Sequence, residues 1–228
     1  MTIIWSKLPI QLIYGKNYNK ENADPIINSL IIKIHTNKND LRYNKEYTIN
    51  LLNNKKEPIW LEHQNIEVDV VLIPLTENIK SEEVVMAYMS KEVMNFSNIK
   101  IPSAEKIFAL GYPFGFYDKQ NNLPIMRIGH LISQFEVGFN GNSYMLGDLE
   151  SHDGMSGAPV FIKILDYETK DGKRMMNQWV IRLVGILSSS PIFKDKEKII
   201  EPRIIIIWFP WLIEEILLQN TIKEKKNG

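Results

Sequence analysis

Short apolar or alternating runs recur along the chain, each bounded by a cluster of Asn, Asp, Gly or Lys. Successive side chains of a strand point to opposite faces, so such runs fit half-buried strands better than long helices. The candidates are Gln11–Tyr14, Leu30–Thr36, Tyr47–Leu52, Val68–Pro74, Lys106–Gly111, Met126–Gln134, Ala158–Leu165, Trp179–Leu187 and Arg203–Trp208. They are rich in Ile, Val, Tyr and Phe, which suit a pleated surface. Many short strands with few helical stretches predict a mainly β protein of sandwich or barrel type. Asp166–Gln178 reads as a polar, hairpin-like connection with Asp171-Gly172 at its tip. Two segments read as helix. Ser81–Met89 has a Ser cap and acids in its first turn. Trp211–Thr221 follows Pro210 and spaces Leu212, Ile213, Ile216 and Leu217 along one buried face.

At 228 residues the chain makes one large domain or two small lobes, long enough to bury a sizeable core. Lys plus Arg and Asp plus Glu are equal at 27 each, which argues against a general binder of nucleic acid or anionic membranes. Lys223 to Lys226 reads as a solvated tail. The most apolar run, Ile204 to Ile213, contains Pro210 and is too short to span a bilayer. With no cysteine, thiolate nucleophiles and Cys-based zinc sites are excluded, and a reducing compartment fits. Met1 to Tyr14 lacks the features of a secretory signal, so a cytoplasmic location is expected.

The most informative stretch is Gly154-Met155-Ser156-Gly157-Ala158-Pro159-Val160-Phe161. A nucleophilic serine needs an exposed hydroxyl beside backbone N–H groups that hold a developing oxyanion. Glycines on both sides permit the tight turn that aims those groups. Taken alone, the segment equally fits a glycine-rich turn entering a strand. It differs from an α/β-hydrolase elbow: residue 158 is Ala, the following residues are β-like, and no histidine follows Ser156.

This segment resembles the nucleophile loop of the trypsin-like (chymotrypsin-fold) serine proteases, Gly-Asp-Ser-Gly-Gly-Pro-Val. It is closer still to the bacterial form, Gly-Met-Ser-Gly-Ser/Ala-Pro-Val. Three further segments resemble the family in the same order. Val68-Asp69-Val70-Val71-Leu72 is similar to its aspartate segment, Ala109-Leu110-Gly111-Tyr112-Pro113-Phe114-Gly115 to its Gly-Tyr-Pro turn, and Leu183-Val184-Gly185-Ile186 to a strand beside its cleft. Asp69 precedes Ser156 by 87 residues, close to the family's roughly 90. The resemblance implies a trypsin-like double β-barrel with a shortened N-terminal barrel and a C-terminal helix. The lobes would cover approximately 1–100 and 101–208, with the helix over 211–221. It also implies Ser156 as nucleophile, Asp69 as orienting acid, and the amides of Gly154 and Ser156 as oxyanion hole. No cofactor or metal is implied.

The family's histidine lies about 45 residues before its aspartate, which here falls on Asp24. The closest local likeness to its Thr-Asn-Lys/Arg-His-Val motif is Tyr18-Asn19-Lys20-Glu21-Asn22, with Glu21 in the histidine's place. A carboxylate near Asp69 would raise the pKa of one of the pair and would not repeat the imidazole's accept-then-donate role. The chain holds only His35, His63, His130 and His152. Of these, His35 is the candidate base, His63 reads as structural, and His130 lies on a strand. His152, with Glu150 and Gly185, is a candidate for the substrate pocket. Glu150 stands six residues before Ser156, where an acid would favour a basic side chain, though Asp148, Glu150 and Asp153 also read as a solvated acidic loop.

Two functions follow from the resemblance and remain open at this point. One is a serine endopeptidase that cleaves peptide bonds through an acyl-enzyme on Ser156. The other is a non-catalytic relative, a pseudoprotease that binds a peptide or protein partner. Neither nucleic acid nor membrane is an expected partner, and the oligomeric state is open.

Overall fold

The computed structural model describes residues 2–5, 29–74, 93, 98–188, 193–195, 198–200 and 203–227. The readings on Gln11–Tyr14, Tyr18–Asn22 and Ser81–Met89 lie outside the described residues, as does Asp24. In chain order the strands are β1 (Thr2–Trp5), β2 (Ser29–His35), β3 (Asn44–Asn50), β4 (Leu61–Glu62), β5 (Val71–Pro74), β6 (Lys106–Gly111) and β7 (Ile125–Leu131). After them come β8 (Tyr144–Asp148), β9 (Pro159–Glu168), β10 (Arg174–Leu187), β11 (Phe193–Asp195), β12 (Lys198–Ile200) and β13 (Ile204–Trp208). Helix α1 (Leu212–Asn227) ends the chain and runs past the predicted boundary at Thr221.

Six strands close into an antiparallel barrel in the order β10-β13-β8-β7-β6-β9. Closure leaves no free sheet edge along these strands. The period-2 pattern decides what fills it. Ile107 and Ala109 of β6, Met145 of β8, Val160 and Ile162 of β9, and Ile205 and Ile207 of β13 all point inward and are fully buried. Each large aliphatic side chain buried this way contributes about 1.5–3 kcal/mol.

β8 escapes the sequence pattern. Gly147 interrupts its alternation, and glycine weakens a strand on propensity alone. Pairing with β13 over five residues, from Ile204↔Asp148 to Trp208↔Tyr144, supplies what propensity does not. The segment read as the Asp166–Gln178 connection is mostly strand. The hairpin turns only around Asp171-Gly172, between Glu168 and Arg174.

The N-terminal strands form a three-stranded sheet, β1-β5-β4, and a two-stranded hairpin, β2-β3. Among the described residues these do not close into a second barrel. A second apolar cluster joins the N-terminal half to the outside of the barrel: Val68, Val70 and Leu72 pack with Leu183, Ile186, Trp208, Leu212, Ile213 and Ile216. Helix α1 thus buries Leu212, Ile213 and Ile216. Leu217, expected on that face, is 40 % exposed at its border. Glu214 and Glu215 in the first turn complement the helix dipole.

The barrel seam at β7–β8 is tight. A Cβ added at Gly129 would lie 2.1 Å from the Asp148 carbonyl oxygen, a backbone atom that moves only if the strands spread. Gly129→Ala is expected to lower stability by about 2–3 kcal/mol, as overpacking does. A urea unfolding midpoint equal to that of the unmutated chain would contradict this packing.

Candidate functional site

The loop 151–158 between β8 and β9 is fixed from three sides. Met155 is its fully buried anchor: its sulfur would lie 2.6 Å from a Cβ built at Gly111, at the end of β6. Gly157 N–H donates to the Leu187 carbonyl at 2.7 Å, and Leu187 N–H returns a bond to Ala158 O at 2.9 Å. These two bonds zip the loop to the end of β10 and set Ser156 beside Leu187 and Ser188. Gly154 sits at φ +89°, where a side chain would be strained, and its absent Cβ would lie 2.3 Å from the Tyr112 carbonyl oxygen.

Ser156 is half-buried. Its hydroxyl donates to the Ser188 carbonyl oxygen at 2.8 Å. The Ser188 hydroxyl in turn donates to Asp69 Oδ2 at 2.8 Å. Ser188 itself is buried, with its own N–H on Ile206 O at 2.9 Å. Asp69 reaches this point because its neighbours Val68 and Val70 are buried in the cluster between the halves. Asp69 and Ser156, singled out from sequence, are therefore brought to the same place and joined through one residue. That residue, Ser188, was not singled out. Its signal was a serine at the end of an apolar strand run, which is too common to stand out.

The amides of Gly154 and Ser156 donate to no acceptor among the described residues. Gly154 is exposed and Ser156 half-buried, so these two N–H groups beside a serine hydroxyl leave room for an external oxygen.

All four histidines are described, and none is hydrogen-bonded to Ser156. His35, the candidate base, has its Nε2 on the Asn121 carbonyl at 2.7 Å and ties β2 to the 118–123 turn. Among the described residues no hydrogen bond joins this imidazole to Ser156. His63 contacts Glu215 Oε2 at 3.2 Å and Gln219 at 3.0 Å, a structural role between the N-terminal half and α1. His130 is exposed on β7. His152 Nε2 lies 3.4 Å from Glu150 Oε1, and its ring stacks on Phe114 with centroids 4.4 Å apart.

The candidate pocket residues divide. Glu150 is shared between His152 and Arg127 Nη1, the latter at 3.6 Å, so its charge is already answered. Asp148 pairs with Arg203 at 3.2 Å. Gly185 is buried at a β-bulge between β9 and β13 and borders no open surface. Among the described residues, no group of three or more His, Asp and Glu is placed to hold a metal ion. No helix among them is long and apolar enough to cross a membrane.

The loop after β6 lies directly against the Ser156 loop. Phe114 N–H donates to Asp153 O at 2.6 Å, and Tyr112 N–H to Gly154 O at 3.4 Å. Burial is the larger cause, and the neighbouring Tyr117 the smaller, that raises the pKa of the Tyr112 phenol, so it stays neutral.

No protein-family model matches the chain, and no curated protein matches it.

The two serine hydroxyls are unequal in this arrangement. Ser188→Ala removes a buried donor to a carboxylate and should cost about 1.5–3 kcal/mol. Ser156→Ala removes one bond from a half-buried hydroxyl and should cost about 1 kcal/mol or less. Urea unfolding of both variants checks this, and equal small losses would contradict the Asp69–Ser188 bond.

Proposed function

We propose that this chain is a trypsin-like pseudoprotease that binds an extended peptide at the Ser156 loop and does not cleave it. The observation that carries this reading is the destination of the protons. The Ser156 hydroxyl is committed to a backbone carbonyl, and among the described residues no histidine is hydrogen-bonded to it.

A serine hydroxyl is a poor nucleophile until a base takes its proton, and the same group must later return it to the leaving amine. The Ser188 carbonyl oxygen accepts a hydrogen bond but does not take up a proton near neutral pH. In a serine protease of another fold, loss of the histidine alone costs about a millionfold in kcat. What the site retains are recognition elements: two free amides, a hydroxyl and the Asp69–Ser188 support behind them. Free main-chain donors suit the carbonyl oxygens of an extended peptide. The resemblance of the Ser156 and Asp69 segments, and the closed barrel that ends at the Ser156 loop, support the trypsin-like placement.

One observation favours a second reading, a slow serine endopeptidase with Ser156 as nucleophile. The unpaired amides of Gly154 and Ser156 are also what an oxyanion hole requires, and such a hole alone retains about 10³–10⁴-fold catalysis over water.

Incubation of the chain and its Ser156→Ala variant with a random peptide library, followed by mass spectrometry of retained and released peptides, separates the two. Binding predicts the same peptides retained intact by both proteins. New peptide termini formed by the unmutated chain and absent with Ser156→Ala would establish the endopeptidase instead.

A further inference from the structure

Part of the barrel's outer face is apolar, where a solvated antiparallel sheet carries polar residues. Ile107, Ala109, Val160 and Ile162 point inward, so Phe108 and Phe161 point outward. The register sets Ile128 of β7, Phe108 of β6 and Phe161 of β9 in one row across three strands. Farther along β9 and β10, Leu165 stands opposite Trp179, and Lys163 opposite Ile181. Ile128 is 55 % exposed, Trp179 58 %, Ile181 49 % and Leu165 43 %. Cross-strand partners share a face, so these side chains form one patch. Soluble chains seldom leave so broad a patch without a partner for it. The patch also continues an interface already present in the molecule. Phe161 borders the cluster in which the N-terminal half and α1 cover Leu183 and Ile186, and β6 and β7 contribute no side chain to that cluster.

Charge and geometry identify the occupant. Lys106 stands opposite His130 on this face, and the Ile107↔Ile162 pairing brings Lys163 alongside it on β9. Both lysines are exposed, and neither has an ion pair among the described residues. The Lys163 ammonium lies over the Trp179 ring, 4.5 Å from its centroid. Two unanswered cations among apolar side chains complement an apolar surface that carries carboxylates. A second copy meeting the same patch about a two-fold axis sets a cationic patch on a cationic one, which disfavours it. An anionic bilayer fits less well than a protein. Each lysine adds about 1 kcal/mol at such a surface, and stable anchoring takes a second strong signal. An α-helix presents side chains while its own backbone stays paired, and helix against sheet is a common layer arrangement.

We infer that this face of the barrel docks an amphipathic α-helix of a partner protein. The helix lays its apolar stripe over Phe108, Ile128 and Trp179 and sets Asp or Glu side chains against Lys106 and Lys163. The inference does not use the peptide-binding reading of the Ser156 loop, and either stands if the other fails.

The test uses a fluorescein-labelled peptide of about 20 residues, long enough to form a helix, with a Leu stripe flanked by Glu. A counterpart carries Lys in place of every Glu. Binding to the full chain is read by fluorescence anisotropy. Two variants supply the charge and the apolar arms: Lys106→Glu with Lys163→Glu, and Trp179→Thr with Ile181→Thr. All four positions are exposed, and threonine keeps the strand preference. Unchanged circular dichroism and thermal unfolding verify that both variants fold. The unmutated chain should bind the Glu peptide about tenfold more tightly than the Lys peptide. The charge-reversed variant should invert that order, and the threonine variant should weaken the Glu peptide about tenfold. Equal binding of the two peptides, an order that survives charge reversal, or a Glu peptide that binds more weakly than about 1 mM would overturn the inference. Co-sedimentation with phosphatidylserine–phosphatidylcholine vesicles, or a dimer in analytical ultracentrifugation, lost in either case in the threonine variant, would overturn it in favour of a bilayer or a second copy.

Discussion

The hydrogen bond from the Ser188 hydroxyl to Asp69 joins parts of the chain 119 residues apart. It has a barrel strand on one side and the N-terminal half on the other. A carboxylate drawn into a half-buried seam is costly without donors, and Ser188 supplies one from a buried position. The same residue's carbonyl holds the Ser156 hydroxyl. One buried serine therefore sets both the place of the acid and the direction of the outer hydroxyl. The apolar cluster of Val68, Val70, Leu183, Ile186 and Trp208 provides the approach that makes the bond reachable.

This support accounts for the shape of the Ser156 loop, which the proposed peptide-binding reading needs, with no histidine hydrogen-bonded to its hydroxyl among the described residues. Backbone conformation and packing fix the outline: glycines at positive φ, a buried Met155 and the two bonds to Leu187 hold the loop whether or not a base is present. Proton transfer needs a titratable partner within hydrogen-bond reach, and none of the four imidazoles is hydrogen-bonded to Ser156 among the described residues. The shape of the loop and any proton transfer at it thus depend on different residues.

Regions with a local physical signal were legible in the sequence. The alternation in Lys106–Gly111 placed β6 at its observed bounds, and the glycine spacing around Ser156 marked the loop. The i, i+1, i+4 spacing of Leu212, Ile213 and Ile216 placed the helix. What depended on tertiary meetings was not legible. β8 contains Gly147 and is made a strand by β13. Leu217 lies at the edge of the buried stripe, where periodicity does not decide. The role of Ser188 appears only when Asp69 arrives beside it. His35 looked available because its partner, the Asn121 carbonyl, lies 86 residues away. The 112–117 loop reads as a turn, and its hydrogen bonds to the Ser156 loop exist only in the folded chain.

The central claim is that Ser156 is positioned but not activated. Reaction with a fluorophosphonate, read by intact-protein mass spectrometry, tests it most directly, because the reagent forms a stable adduct only with a serine made nucleophilic. The account predicts no adduct on the folded chain beyond that on the urea-unfolded chain. A stoichiometric adduct on Ser156, abolished in Ser156→Ala, would contradict it.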